Sequence, residues 1–121
     1  MFKRLECVAL YTANIEASIE FCQSLGLTEH WRIERPLGEG GTWILVGMKF
    51  PDEKSSELVL QNHPALQVAD IEIYVEDVCE TYEALSARTD INWIRQPFPT
   101  ESGHVAVMEA PDSNVFVLVG Q

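Results

Sequence analysis

A repeat constrains the fold of this chain more than any other feature. The stretch Ala69–Leu85 (ADIEIYVEDVCETYEAL) is an alternating strand that runs directly into a capped helix, and Glu6–Leu25 (ECVALYTANIEASIEFCQSL) has the same organisation. Asp70 stands where Cys7 stands, 63 residues earlier. Self-similarity at a fixed offset is the sequence signature of one supersecondary unit used twice.

Each copy continues through three more strand-like runs. The two copies end alike, because Ser56–Gln61 (SELVLQ) in the first corresponds to Val115–Gln121 (VFVLVGQ) in the second. This alignment places Val117 at the position of Glu57, with an offset of 60 residues. Runs rich in β-branched residues between turn signals predict strands. The chain is therefore predicted to be an α+β protein made of two β-α-β-β-β units.

A chain of 121 residues is long enough to bury one core. The short connection around Pro64 lacks the length of a linker between independent domains. We therefore expect a single domain over residues 1–121, with the first unit at 1–63 and the second at 64–121.

The helices have recognisable ends. Asn14 and Asp77 are predicted N-caps, and Gly26 is predicted to end the first helix because glycine accepts a left-handed conformation. Apolar residues at helical spacing predict the buried stripes. The members of these stripes are Ile15, Ile19, Cys22 and Leu25 in the first helix and Val78, Tyr82 and Leu85 in the second.

The loops carry no phosphate-binding signature. Arg35–Gly41 (RPLGEGG) is rich in glycine, but the G-x-G-x-x-G pattern fails at Trp43. Pro97–Gly103 (PFPTESG) is the counterpart in the second copy, and both are predicted to be loops.

Composition limits the partners. The formal net charge of −11 repels phosphate backbones, so we expect no nucleic acid partner. No apolar run approaches the ~20 residues that cross a bilayer, and the first residues lack the apolar centre of a signal peptide, so we expect no membrane partner and a cytoplasmic location. The three cysteines, Cys7, Cys22 and Cys79, indicate neither a disulfide framework nor a zinc knuckle.

The opening and closing segments of the sequence, taken with their order, resemble those of the vicinal oxygen chelate superfamily, which includes glyoxalase I, extradiol dioxygenases and bleomycin-resistance proteins. They are the opening VALYTANIEASIEFCQSLGL (8–27) and the closing APDSNVFVLV (110–119). The resemblance implies a curled mixed sheet around a groove shared by the two units. It also implies a homodimer, with or without exchange of units between chains.

The resemblance implies a metal position on each of four strands. Carried over by position, these are Cys7, Glu57, Asp70 and Val117. Valine offers no donor atom, and a thiolate with two carboxylates suits no common catalytic metal. We therefore expect no cofactor and no metal ligands, with a divalent metal as the alternative.

Strand alternation and the implied groove together select the candidate ligand-binding residues. These are Cys7, Tyr11, Trp43, Met48, Glu57, Asp70, Trp93, Phe98, His104 and Val117. Glu57 is interpreted as a ligand anchor or acid–base group, or as a solvated carboxylate. His104 is interpreted as a hydrogen-bonding group or base, or as neither, and Cys7 as a small buried residue or a nucleophile. No catalytic residue is assigned.

Three functions follow from this reading. The first is metal-independent binding of a small amphipathic or cationic molecule in an acidic, aromatic-lined groove, since aromatic faces and carboxylates both attract cations. The second is a lyase, an isomerase or a dioxygenase-like enzyme with a modified active site. The third is a non-catalytic regulatory domain. The sequence leaves open whether the protein is an enzyme.

Overall fold

The computed structural model describes residues 1–121, which form two compact units. The first unit is Cys7–Ala69, and the second unit combines Met1–Glu6 with Asp70–Gln121. This division differs from the predicted boundary after residue 63. Part of the reason is that the backbone N–H of Lys3 donates to the carbonyl of Tyr74, at 2.9 Å, which ties the start of the chain to the second unit.

The first unit is a mixed four-stranded sheet with one helix. Its strands lie in the order β2-β3-β4-β1, with β1 and β4 parallel and the other pairs antiparallel. The elements are β1 (Arg4–Tyr11, of which Cys7 onward belongs to this unit), α1 (Ile15–Ser24), β2 (Thr28–Pro36), β3 (Thr42–Lys49) and β4 (Glu57–Gln61).

The second unit repeats this arrangement. Its strands lie in the order β5-β8-β7-β6, with β5 and β8 parallel and the other pairs antiparallel. The elements are β5 (Asp70–Tyr74), α2 (Val78–Leu85), β6 (Asn92–Thr100), β7 (Gly103–Glu109) and β8 (Val115–Gly120). The predicted α+β class with two β-α-β-β-β units is therefore confirmed. Neither helix is long and apolar enough to cross a membrane.

Both predicted N-caps are present. The Asn14 side chain accepts a hydrogen bond from the backbone N–H of Ala17 at 3.1 Å, and Asp77 accepts one from Glu80 at 2.9 Å. Each cap satisfies a helix N–H that has no partner within the helix. Gly26 follows α1 with a φ of +100°, the left-handed conformation predicted for it.

The cap of α2 can be tested by substitution. Asp77→Ala is expected to lower the free energy of unfolding by about 1 kcal/mol, because the first turn loses its hydrogen-bond acceptor. Asp77→Asn, which keeps an acceptor oxygen, is expected to cost much less. Urea denaturation measures both, and equal losses in the two variants would contradict the capping role.

Each unit buries its core between its helix and one face of its own sheet. The first-unit core comprises Ile15, Ile19, Cys22, Leu27, Val46, Met48 and Leu60. The second-unit core comprises Val75, Val78, Leu85, Ala106, Met108 and Leu118. Leu25 was predicted to join the first stripe, but it is 66% exposed and Leu27 is buried instead. The reason is that α1 ends at Ser24, and the turn at Gly26 carries the chain back to the core.

The predicted loop at Pro97–Gly103 is wrong in its first half, because β6 continues to Thr100. This strand lies at the edge of its unit's sheet and pairs only with β7, with register shifts between Trp93 and Phe98. An edge strand tolerates proline because one row of its N–H groups needs no partner, and irregular pairing accommodates it further.

Candidate functional site

The helix-free face of each unit is the sheet surface opposite that unit's own helix. In the first unit Leu58 and Leu60 point toward α1, so alternate positions point away from it. The predicted site residues on the helix-free face are Cys7, Tyr11, Trp43 and Glu57. The prediction that Met48 is a ligand-binding residue is wrong, because Met48 lies under α1 with no exposed surface and does not reach this face.

The Glu57 carboxylate is the best-defined polar group on this face. Glu57 begins β4 directly opposite Cys7 of β1, and two residues of β2 hold its side chain. His30 Nδ1 lies 2.8 Å from Oε2, and Trp31 Nε1 donates to Oε1 at 3.2 Å. An ionised carboxylate only accepts, so Nδ1 carries the proton in this pair. The carboxylate is thus fixed in place while its side chain stays 26% exposed.

Glycine at position 47 makes room for the Trp31 indole. Gly47 lies beside Trp31 in the β2–β3 pairing, and a Cβ added to it would stand 2.1 Å from Trp31 Nε1. Below the indole, Cys7, Ala9 and Val59 form a small buried cluster. Cys7 is 4% exposed, as expected for a small buried residue. The orientation of the indole N–H toward Glu57 therefore depends on a residue that has no side chain.

Gln61 is a second polar anchor on this face, and no sequence pattern pointed to it. Its Oε1 accepts hydrogen bonds from Trp43 Nε1 at 3.1 Å and from the backbone N–H of His63 at 2.8 Å. Its Nε2 donates to the carbonyl of Leu66 at 2.7 Å. Gln61 is 5% exposed, so these bonds replace the water it loses. They hold Trp43 and the following turn in a fixed position.

The helix-free face of the second unit carries two carboxylates together with apolar side chains. Ile73 packs on the core, so Asp70 and Glu72 point the other way along β5. Phe98 lies opposite Val105, on the face that also carries Val117. The prediction that Trp93 is a ligand-binding residue is wrong. Trp93 lies opposite Met108 and packs edge-on against Tyr82 of α2, with the ring centres 4.8 Å apart. These contacts place it in the core on the helix side of the sheet.

The strand register revises the alignment of the two repeats. The N–H of Thr12 donates to the carbonyl of Gln61, and the N–H of Val75 donates to that of Val119. The donors are 63 residues apart, as predicted, but the acceptors are 58 apart rather than 60. The counterpart of Glu57 is therefore Val115, not Val117. A shift of two residues keeps every side chain on its face, so alternation could not detect it. Both valines lack a donor atom, so the fourth strand of the second unit supplies no ligand in either alignment.

Burial raises the pKa of the Asp70 carboxyl, because desolvation disfavours its charged form. When the pKa of a carboxyl is higher in the folded than in the unfolded chain, the free energy of unfolding of the protein falls as the pH rises through the folded pKa. The penalty is therefore present at neutral pH and disappears below the ordinary aspartate range.

Asp70→Asn is accordingly expected to raise the free energy of unfolding at pH 7, with the gain vanishing toward pH 3. Urea denaturation at both pH values measures it. Asp90→Asn is the control, because the hydrogen bond from Arg88 lowers the pKa of the Asp90 carboxyl. Its change in the free energy of unfolding at pH 7 is expected to have the opposite sign. No gain for Asp70→Asn at pH 7 would contradict the desolvation argument.

His104 lies at the start of β7, next to the turn at Gly103. Its Nδ1 is buried without a hydrogen-bond partner. It borders a cavity of about 150 Å³ whose lining belongs entirely to the second unit. His104 therefore belongs to the second unit, whereas Glu57 and His30 belong to the first.

The donor set does not fit a resident metal. His30 and Glu57 provide two adjacent groups, whereas a catalytic zinc site uses three protein ligands. Nowhere in the chain do three or more histidine, cysteine, aspartate or glutamate side chains come together in a metal-binding arrangement.

The fold is found in solved structures that match nearly the whole chain. A hypothetical protein from Bacillus halodurans C-125 matches with a TM-score of 0.73 and 15% identity, covering 98% of this chain and 94% of its own. An uncharacterized protein from Methanosarcina mazei matches with a TM-score of 0.61 and 14% identity over the same shares. Likeness at these identities shows the fold alone.

A glyoxalase family protein from Bacillus cereus also matches, with 16% identity over 98% of this chain and 93% of its own, but its TM-score is only 0.44. The sequence matches no protein-family model and no curated protein. The paired β-α-β-β-β arrangement that the resemblance implied is present in the structure.

Proposed function

We propose that this chain, with its paired β-α-β-β-β fold, binds a small amphipathic cation on the helix-free face of the first unit without a metal. The observation that carries the proposal is the fixed carboxylate of Glu57. His30 and Trp31 use one acceptor site on each oxygen. A carboxylate has about four such sites, so two remain for a ligand. The group is preorganised, and binding spends little free energy on ordering it.

Two aromatic side chains on the same face are proposed to supply apolar contact: Trp31, which donates to Glu57 itself, and Trp43, which lies toward the other end of β4. Trp43 is held by Gln61, with the Arg35 guanidinium 4.6 Å from its ring centre. This contact supports the idea that the indole face attracts a cation. The net charge of −11 adds a long-range attraction for cationic ligands and a repulsion for anionic ones.

The test compares a cationic and an anionic aromatic probe. Ethidium is expected to raise the melting temperature of the protein and to quench its tryptophan fluorescence, whereas fluorescein is expected to do neither. Glu57→Gln should weaken ethidium binding about tenfold or more, because a charge-assisted contact is lost.

Glu53→Gln is the matched control, since it makes the same charge change at an exposed site in the β3–β4 connection of the same unit. It should leave ethidium affinity within about twofold, because an exposed charge contributes little. Equal losses of ethidium affinity in the two variants would mean that only the net charge of the protein matters, and they would overturn the proposal. Binding of fluorescein as tight as that of ethidium would also overturn it.

The second candidate is an acid–base enzyme, a lyase or an isomerase, and the His30–Glu57 pair favours it. A carboxylate that orients an imidazole is a recurrent general-base arrangement. His30 is 54% exposed and therefore accessible to a substrate. On this hypothesis a metal-free preparation would exchange the α-proton of a carbonyl substrate for deuterium, and His30→Gln would abolish the exchange. The homodimer and the cytoplasmic location stay predictions, and light scattering tests the first of them.

A further inference from the structure

Glu57 is a partly buried carboxylate with no lysine or arginine bonded to it. Its hydrogen-bond partners are His30 Nδ1, 2.8 Å from Oε2, and Trp31 Nε1, 3.2 Å from Oε1. Both donors are nitrogens of aromatic rings. The indole carries no charge, and an ordinary imidazole is neutral at pH 8. The carboxylate is therefore held in place without being neutralised, and its side chain is still 26% exposed to solvent.

Arg32 follows Trp31 along β2, but it is engaged on the other face of the sheet. Its Nη1 lies 3.1 Å from a carboxylate oxygen of Glu16 on α1, and its Nη2 lies 3.2 Å from one of Glu29. Consecutive residues of a strand point to opposite faces, so Arg32 points toward the helix and Trp31 away from it. The strand that fixes Glu57 thus offers it hydrogen bonds but no guanidinium. A cation from solution can supply the missing countercharge.

The existing bonds decide which acceptor sites of Glu57 remain. A carboxylate has about two sites on each oxygen. Trp31 fills one on Oε1 and His30 fills one on Oε2, so each oxygen keeps one site for a ligand. Two acceptors on the two oxygens of one carboxylate match the two parallel N–H groups of a planar guanidinium or amidinium. A primary ammonium offers a single point of contact, and a quaternary ammonium offers no N–H at all.

The surface beside the carboxylate limits the body of the ligand. The Trp31 ring packs over a cluster of Cys7, Ala9 and Val59, each of which is at most 5% exposed. Trp31 itself is only half-buried, so its ring is the accessible part of this apolar surface. Planar cations and aromatic rings both pack favourably on an indole. An apolar body attached to the cationic head group therefore has a surface to lie against.

We propose that the Glu57 site selects a cation with two parallel N–H groups, an amidinium or a guanidinium on an apolar body, and discriminates against a quaternary ammonium of the same size. This inference rests on the proposed function, because it specifies the head group of the cation. Trp31 and His30 are positioning residues, since each fills one acceptor site and leaves the two that the head group uses.

Three benzyl-type cations test the selectivity. Benzamidine, benzylamine and benzyltrimethylammonium are titrated into the full chain at pH 8 by calorimetry. Benzamidine is expected to bind about tenfold or more tightly than benzyltrimethylammonium, with benzylamine between them, because charge-assisted hydrogen bonds are lost along the series. Equal affinities for benzamidine and either of the other two would overturn this inference while leaving the proposed function intact. Binding of none of them, nor of ethidium, would overturn both.

Substitutions locate the selectivity, measured as the ratio of benzamidine affinity to benzyltrimethylammonium affinity. Glu57→Gln is expected to bring the ratio close to one, since the amide has one acceptor oxygen and no charge. Trp31→Phe keeps an aromatic ring over the cluster but removes the indole N–H, and it should lower the ratio severalfold. A loss of folded protein alone would weaken both ligands equally and leave the ratio unchanged.

Glu53→Gln is the matched control, because it removes one exposed charge from the same unit. It should leave the ratio within about twofold of that of the unsubstituted protein. An unchanged ratio in Glu57→Gln, or an equal fall in Glu53→Gln, would show that Glu57 does not read the N–H groups and would overturn the inference.

Discussion

Truncation of Met48 to alanine is expected to lower the free energy of unfolding by about 2–5 kcal/mol. Met48 has no exposed surface and packs in the first-unit core with Ile19, Val46 and Leu60. Its removal leaves a cavity that a strand held on both sides cannot close, because β3 pairs with β2 and β4. Urea denaturation of the purified variant measures the loss.

Leu25→Ala is the matched control, since Leu25 is also a large apolar residue of the first unit but is 66% exposed. It should change the stability by less than about 0.5 kcal/mol. Met48→Ala should also leave ethidium affinity within twofold in the fraction of folded protein. A small stability loss combined with a large loss of ethidium binding would return Met48 to the ligand-binding face and refute its place in the core.

Gly47→Ala is expected to lower the free energy of unfolding by roughly 2–4 kcal/mol and to weaken ethidium binding severalfold. The added Cβ would stand 2.1 Å from Trp31 Nε1 and 2.2 Å from Cε2, so the indole must leave its position. Overpacking costs about 1–3 kcal/mol, and the lost hydrogen bond from Trp31 to Glu57 costs about 1 kcal/mol more. Urea denaturation and ethidium titration give the two readouts.

Gly38→Ala separates this contact from the general effect of replacing glycine. A Cβ at Gly38 would meet no atom within 4 Å, so this variant should be neutral or gain a few tenths of a kcal/mol from a stiffer unfolded chain. If Gly47→Ala were as stable as Gly38→Ala and bound ethidium as tightly, the Trp31 indole would have no role in orienting Glu57.

The predictions of the helix caps and of the turn after the first helix succeeded because they depend on local interactions. Asn14 and Asp77 bond to N–H groups three residues later, and Gly26 adopts its conformation by its own lack of a Cβ. The strands succeeded in number and order, since alternation reports which face is buried. The register of β8 did not, because a slip of two residues preserves alternation and only the hydrogen bond from Val75 to Val119 reveals it.

The sequence by itself determined the repeat, the helix caps and the place of Glu57 on the fourth strand, whereas the pairing of Glu57 with Cys7 came from the tertiary structure. Only the tertiary structure decided what holds that carboxylate, since His30 and Trp31 are 27 and 26 residues away along the chain. It also decided that Met48 and Trp93 pack beneath helices and that His104 borders a cavity. The physical reason is that side-chain partners across a sheet depend on register and bulges, which are properties of paired strands and not of any single stretch.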